Sequence, residues 1–556
     1  MIRLLPLFAF ALLLGAEDHW VSVRSGPFQV FSNTGDKSAR EQLEQLEQFR
    51  QGLGVVLGKQ DLHLLWPLRI VISKNDKYTV PPGLPLARDA YFGSPAHDLK
   101  SHDLKTLARL LIAQNTQRLP AEIENGIVEL FSTVEIAGAR ITLGAALPPA
   151  QRTRDWARMH LLVTDPAYSG RARVMISNLE QGSELDTAYK NAFERTSAQI
   201  EKQVDDHLAA GTFGTTNVSG RTINATRDFH VQAVDSDAAK LMLADVLLAA
   251  DSPAASAAYQ ALHGSAAAEG LGLIALRGHR EQEALTLFES AIASENASAR
   301  AYFEAGVLES DAGKAQTYLQ KAAELNPLWA EPPFKLAERE SDLSRKAILL
   351  AKAASLDPRN VLYWQTLAKT YTAANQFKDA QKAWGGAERA AATLQEREHI
   401  RAVRLQTQGE RADFEAAERK RLADERAADL QRVKDASMAD IHAAEAAARK
   451  RLNPNGAAPP QPVDWWSEPE VGARIKGTLQ RFDCVGKLAK LVVQTEDGKT
   501  VQLLVREPGK IALVNGGENA LACGGQKPPR NVDVGYTPKL DKRLGTSGEV
   551  VSVEFH

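Results

Sequence analysis

WQTLAKTYTAANQFKDAQKAWGGA, residues 364–387, sets large, small and aromatic side chains at fixed places: Trp364, Leu367–Ala368 and Tyr371, then Ala380, Trp384 and Ala387. Spacings of three and four put each set on one face of a helix. The second set has three predecessors, Ala284/Phe288/Ala291, Ala315/Leu319/Ala322 and Lys346/Leu350/Ala353. Their last members step by 31, 31 and 34 residues, the range in which helix pairs stack into arrays. Asn326–Pro327 and Asp357–Pro358 close two of the units, and residues 236–264 read as a degenerate first copy. The two shorter units predict a tightened turn after Gly306 and after Leu336.

Two antiparallel helices per unit, with small residues where they cross and large ones between neighbours, resemble the tetratricopeptide repeat. The resemblance implies an α-solenoid over 236–393, stabilised by neighbour stacking, whose concave face binds a protein or peptide segment. Lys335, Gln365 and Lys369, near the first-helix faces, are the candidate groove residues.

Beyond the repeats, residues 394–453 predict one long charged helix. Between Gln395 and Leu452 stand 13 Lys/Arg and 12 Asp/Glu with no proline, a pattern of i,i+4 pairs each contributing ~0.2–0.5 kcal/mol. Leu430, Ile441 and Leu452 recur every eleven residues, as do Leu422, Val433 and Ala444, a period that can support weak right-handed supercoiling and self-association. An Ala-rich stripe this thin is more often a face docked on a neighbour, or a solvated face. NPNGAAPPQPV leads out of it, and 454–463 is a Pro-rich linker.

From 464 to 556 the period becomes two. Residues 475–482, 488–494, 501–505, 532–536 and 550–555 read as strands, with Asp497–Gly498 as a hairpin turn. They predict a small β-barrel or sandwich of the five-stranded oligomer-binding type. Cys484 and Cys523, the two cysteines of the chain, are expected to form a disulfide if the protein is exported. Trp465–Trp466 read as an anchor for the first strand.

Residues 1–16, MIRLLPLFAFALLLGA, carry a positive start, a short apolar core and small residues before Glu17–Asp18. That is a secretory signal peptide, too short to span a ~30 Å hydrocarbon core. A periplasmic or extracellular protein with no membrane span is expected.

The stretch 17–235 reads as an α+β unit: a hairpin at 20–32 around Gly26–Pro27, a helix over 36–57, a strand LRIVI at 68–72 and an alternating piece at Tyr91–Phe92. Helices follow at 104–114, 122–134, 154–164, 171–181 and 184–210. Leu119–Pro120, Glu124–Asn125–Gly126, Glu129 and Trp156–Ala157–Arg158–Met159–His160 resemble the landmarks of gluzincin-like (peptidase MA-like) domains that precede tetratricopeptide arrays in exported bacterial proteins. That chemistry needs two His at i and i+4, a Glu beside the first as general base, and a third carboxylate ligand. Counted back from Leu119–Pro120, the HExxH positions hold Lys105, Thr106, Leu107, Ala108 and Arg109, and the third ligand position holds Asn125. Two unit charges 4 Å apart interact by ~4 kcal/mol at an effective dielectric of 20, roughly double for a dication. Lys105 and Arg109 therefore repel zinc. His97, His102, Asp103, Glu122, Glu124, Glu129 and His160 are the substitutes to weigh. His97 and His102 lie five apart, so a regular helix does not aim both at one ion, and His160 reads as a packed, hydrogen-bonded histidine.

Composition narrows the classes. Lys and Arg number 67 against 69 Asp and Glu, a net charge of −2, which gives no global reason to seek nucleic acid or anionic membrane. Arg474, Lys476, Arg481, Lys487 and Lys490 in the β-domain stand among many acids, a poor match to a basic, aromatic single-strand platform. Asn217, Asn224 and Asn296 sit in glycosylation-like triplets of the kind common by chance. No Gly-x-Ser-x-Gly elbow occurs. The expectation is a multidomain, mainly α, exported interaction protein: a pseudopeptidase, not an enzyme, with no cofactor and no metal. The alternative is a zinc metallopeptidase with atypical ligands.

Overall fold

Strand β3 (Leu68–Ile72) has both faces buried, and its alternation explains how the first part of the chain is built. Leu68, Ile70 and Ile72 join one core, while Val71 joins a second core on the opposite face. The computed structural model describes residues 19–74, 80–94, 101–168, 170–452, 471–486, 488–516 and 521–556. The segment expected to be a signal peptide, His97, the stretch expected to be a Pro-rich linker, Trp465–Trp466 and Lys487 lie outside them. The chain divides into two units after Ala427.

In the first unit, β1 (Trp20–Ser25) and β2 (Phe28–Ser32) form the expected hairpin, and α1 (Asp36–Leu57) crosses to β3, which lies parallel to β2. β4 (Tyr91–Gly93) adds parallel to β3. Then come α2 (Ser101–Asn115), α3 (Ala121–Phe131), the hairpin β5 (Glu135–Ala137) and β6 (Arg140–Leu143), α4 (Arg154–Thr164), α5 (Ala172–Glu180), α6 (Leu185–Phe193) and α7 (Ser197–Ala210). β7 (Thr216–Ser219) pairs with β6. After the single turn α8 (Ala225–Asp228), β8 (Val231–Val234) returns to the edge of β1, giving the order β4-β3-β2-β1-β8. The helix expected over 184–210 is two helices, because Glu194 takes a left-handed conformation (φ 58°) that ends α6. A new N-cap at Thr196, with Gln199 reciprocating, starts α7.

The array follows as helix pairs: α9 (Ser236–Ala249) with α10 (Ala254–Gln260), α11 (Ser265–Arg277) with α12 (Glu281–Ala293), α13 (Ala299–Leu308) with α14 (Ala312–Leu325), α15 (Glu331–Arg339) with α16 (Leu343–Leu356), and α17 (Val361–Ala373) with α18 (Phe377–Ala390). The two short units do not have tightened turns. Three residues link first to second helix in each of the last four pairs, and α13 and α15 themselves stop early, at 10 and 9 residues against 13 in α11 and α17. In α16, Ala347 is the buried small residue, one place beyond Lys346. Helix crossings are close: a Cβ on Gly272 would stand 2.8 Å from the Phe288 ring, and one on Gly386 2.5 Å from Trp364.

The β-sheet is covered by helices on one face and by this array on the other. Val23, Phe28, Val30 and Ile70 pack with Leu43, Leu46, Phe49 and Leu53 of α1, whereas Trp20, Phe31, Val71 and Phe92 pack with Met242, Phe288 and Ala301. A buried ionic network crosses the second seam. Arg88 bonds Glu269 (3.0 Å), Asp245 (3.3 Å) and Asp89 (3.2 Å), while Arg69 reaches Asp89 (3.0 Å) and Asp245 (3.2 Å). Tyr259 donates to Asp245 (2.6 Å) and Ser298 to Glu269 (2.7 Å). Burial alone would lower the Arg88 pKa, but Asp245, Asp89 and Glu269 hold it well above its ordinary value.

Helix α19 (Leu394–Leu452) begins in the first unit and ends in the second. Ile400 and Thr407 are its buried residues, and Leu422, Leu430, Val433, Ile441 and Leu452 are exposed. In the second unit β9 (Ala473–Val485), β10 (Leu488–Thr495) and β11 (Thr500–Val505) form an antiparallel meander. β12 (Ala512–Val514) is a short strand the alternation did not reveal, followed by β13 (Gly524–Asp541) and β14 (Thr546–Phe555). β9 pairs with β13, β13 with β14, and β14 runs parallel to β11, so five strands close on themselves, with β12 added beside β14. The closed sheet encloses Leu479, Leu491, Leu503, Val534 and Val553. Cys484 and Cys523 are disulfide-bonded, Cα to Cα 5.6 Å. Among the described residues no helix is long and apolar enough to cross a membrane.

Candidate functional site

The corner between α2 and α3 carries the positions that the sequence resemblance assigned to the zinc motif. Lys105 and Thr106 are half-buried on α2 and Arg109 is exposed; Asn125 is exposed on α3. Thr106 Oγ1 donates to its own helix at His102 O (3.0 Å). No hydrogen bond or ion pair joins Lys105, Arg109 and Asn125 among the described residues. The nearby acids have other partners. Glu124 is held by Arg359 (3.0 Å), and Glu129 accepts from Thr153, the side chain that caps α4 through Trp156 N. His102 is exposed and faces Asp103 (3.6 Å). Among the described residues no group of three or more His, Cys, Asp or Glu is arranged to hold a metal ion.

Gly126 has a packing role. A Cβ there would collide with the Asp155 carbonyl and stand 2.6 Å from Met159 Cγ, so α3 and α4 cross at this point without a side chain between them. Gly126→Ala is expected to destabilise the first unit by about 1–3 kcal/mol, because the nearest obstacle is backbone. A urea midpoint equal to that of the parent would contradict the crossing.

His160 is buried on α4. Its Nε2 donates to Gly144 O (3.0 Å), and its Nδ1 accepts from His207 Nε2 (3.0 Å), beside Trp156 and Phe213. Burial lowers its pKa from 6.5 to about 4, with His207 adding to the effect and the Gly144 bond opposing it. Between those pH values the unfolded chain binds a proton that the folded one does not. The contribution of this site is therefore complete above about pH 6.5 and is lost as pH falls through about 4, roughly 3 kcal/mol in all. Urea melts from about pH 7 to about pH 4 should show the parent losing more stability than His160→Gln; parallel curves would rule this out.

A groove lies where the α+β region meets the later repeats. Its volume is about 850 Å³, and its walls include Leu65, Arg118, Leu328, Trp329, Leu362 and Gln365. Leu328 and Leu362 are 48% and 55% exposed there. The walls are braced. Asn115 bonds both N and O of His63 (2.9 and 2.8 Å), Gln114 accepts from Leu65 N (2.6 Å), and Trp329 stacks edge-on against Trp66 (5.0 Å). Arg359, from the loop before α17, donates to Thr116 O (3.0 Å), Thr116 Oγ1 (2.7 Å) and Gln117 O (3.2 Å) as well as to Glu124. Burial raises the Glu331 carboxyl of this wall, with Arg300 opposing. A concave, half-apolar, preformed cavity of this size suits a ligand's side chains.

Of the residues named from sequence, Gln365 lines the groove. Lys335 lies against Phe334 and pairs with Glu338 (2.8 Å), and Lys369 stands exposed on α17. Leu328, Trp329 and Arg359 follow Asn326–Pro327 and Asp357–Pro358 directly. The sequence placed them on loops between units, but what they face depends on the α+β region.

No protein-family model matches the chain, and no curated protein does. Solved structures overlap part of it. YrrB, described as a TPR protein with an unusual peptide-binding site, is 20% identical, with 30% of this chain and 92% of that one covered and a TM-score of 0.26. MamA is 18% identical, with 28% and 95% covered and a TM-score of 0.23. MamA from Desulfovibrio magneticus RS-1 is 13% identical, with 28% and 96% covered and a TM-score of 0.22.

Proposed function

We propose that this is an exported, non-catalytic interaction protein that holds a polypeptide segment in the groove between its α+β region and its tetratricopeptide-type array. The α+β region is taken as a peptidase-like domain without its zinc site. The observation that carries the proposal is the braced cavity of about 850 Å³ with two half-exposed leucines, Leu328 and Leu362, in its wall. Lys105 and Arg109 at the expected imidazole positions, with Glu124 and Glu129 bonded elsewhere, support the loss of hydrolysis. The exposed apolar residues of α19 are a route to self-association, which sedimentation at two concentrations tests.

Peptide-display selection on the full chain, followed by fluorescence anisotropy, tests the groove. Leu328→Glu and Leu362→Glu should each weaken a selected peptide by tenfold or more, about 1.4 kcal/mol, with an unchanged melting curve. Unchanged affinity in both variants would reject the groove. Stoichiometric zinc at micromolar affinity would reject the non-catalytic assignment, and an intact N-terminus on protein retained in the cytoplasm would reject export.

A further inference from the structure

Next to the groove lies a second cavity of about 450 Å³ whose chemistry is different. Five guanidinium groups line it, those of Arg118, Arg389, Arg397, Arg401 and Arg404, against three carboxylates, Glu122, Glu184 and Glu388. Of the three, Glu388 alone is bonded to these arginines among the described residues: Arg401 reaches it at 2.8 Å and 2.5 Å, and Arg404 at 3.1 Å. Arg118 donates Nε to the Ala390 carbonyl (2.8 Å). Arg389 and Arg397 have no carboxylate partner among the described residues, and the Arg397 Nε is shielded from solvent without an acceptor. Arg389 is exposed and its stem runs beside the α5–α6 loop: Gly182 has φ +89°, and a Cβ on it would lie 2.9 Å from Arg389 Cδ. The cavity thus positions guanidinium donors that the protein itself leaves unused.

The two cavities share a wall. Arg118 lines both, and the successive residues Glu396 and Arg397 of α19 line the groove and the second cavity respectively. Guanidinium forks bind carboxylates with paired, charge-assisted hydrogen bonds. We infer that the arginine-lined cavity is a carboxylate subsite, so that the partner is an acidic peptide with apolar side chains in the groove and Asp or Glu side chains on Arg389 and Arg397. This inference rests on the polypeptide-binding assignment of the groove and names the chemistry of its partner.

The test uses the full chain and three probes: a fluorescein-labelled peptide alternating Leu and Glu, its Leu/Gln counterpart, and tripolyphosphate. At low salt the Glu peptide should bind about tenfold more tightly than the Gln peptide, and added salt should erase most of that difference. The double variant Arg389→Ala/Arg397→Ala should bring the Glu peptide to the level of the Gln peptide and leave the latter unchanged. Arg389→Lys/Arg397→Lys, which keeps the charge and loses the fork, should restore only part of the gain.

Equal binding of the two peptides, or a gain that survives the alanine double variant, overturns the subsite while the groove stands. A Glu-peptide gain that is lost in the double variant but unaffected by Leu362→Glu supports the subsite and removes the groove. Tripolyphosphate binding that depends on Arg389 and Arg397, without any Glu-peptide gain, overturns the peptide assignment in favour of a small phosphate anion. Binding of none of the three probes overturns both.

Discussion

Replacing Arg88 with Ala is expected to lower the stability of the first unit by about 3–5 kcal/mol. Arg88 lies in a loop of the α+β region, yet its partners Asp245 and Glu269 belong to α9 and α11 of the array. The two residues are 1% and 0% exposed. Without the guanidinium they remain inside the protein, where among the described residues Arg69 is the one cation bonded to Asp245 and none is bonded to Glu269. Burial already raises the Glu269 pKa against the pull of Arg88, so the variant should take up a proton there and recover part of its loss at low pH. The check is the urea midpoint of parent and variant, with Arg280→Ala as control, because the Arg280–Glu283 pair is half-exposed and should move stability by less than about 1 kcal/mol. A loss for Arg88→Ala no larger than that of the control would mean that the seam does not hold the two regions together.

Phe288→Ala should have an effect of similar size, about 3–5 kcal/mol. The ring is fully buried on α12, fills the space that Gly272 leaves open on α11, and belongs to the core that also contains Phe31, Val71 and Phe92 of the sheet. Truncation therefore opens a cavity inside the repeat and under the β-sheet at once. Because Phe288 and Arg88 act on one seam, the double variant should depart from the sum of the singles. Leu325→Ala, at a position 46% exposed, should change stability by less than about 0.5 kcal/mol. If thermal melts show Phe288→Ala no weaker than Leu325→Ala, the repeat is not packed against the sheet as described.

What the sequence revealed follows the range of the interactions involved. The helix expected over 36–57 depends on spacing within one segment, so the sequence identified α1, and Asp497–Gly498 marked the turn between β10 and β11. The repeat period survived because each unit packs on its neighbour. Arg69 and Arg88 could not be read as seam residues, since their partners stand 176 and 181 positions away. β8 was missed because VQAV is short and half-exposed, and its place is fixed by pairing with β1. The site divides in the same way. Gln365 could be proposed from its helix face, whereas Arg359 and the unpaired Arg389 and Arg397 gain meaning only where the array meets α2, α3 and the α5–α6 loop.

The most direct test of the central claim is mass spectrometry of a defined peptide mixture after incubation with the full chain and added zinc. A binding protein without hydrolytic machinery should retain a subset of the peptides, each recovered at its original mass and at a ratio near one per chain. Shorter products that accumulate with time and stop on adding a chelator would contradict it, and would make Lys105, Arg109 and Asn125 bystanders to a metal site elsewhere in the protein.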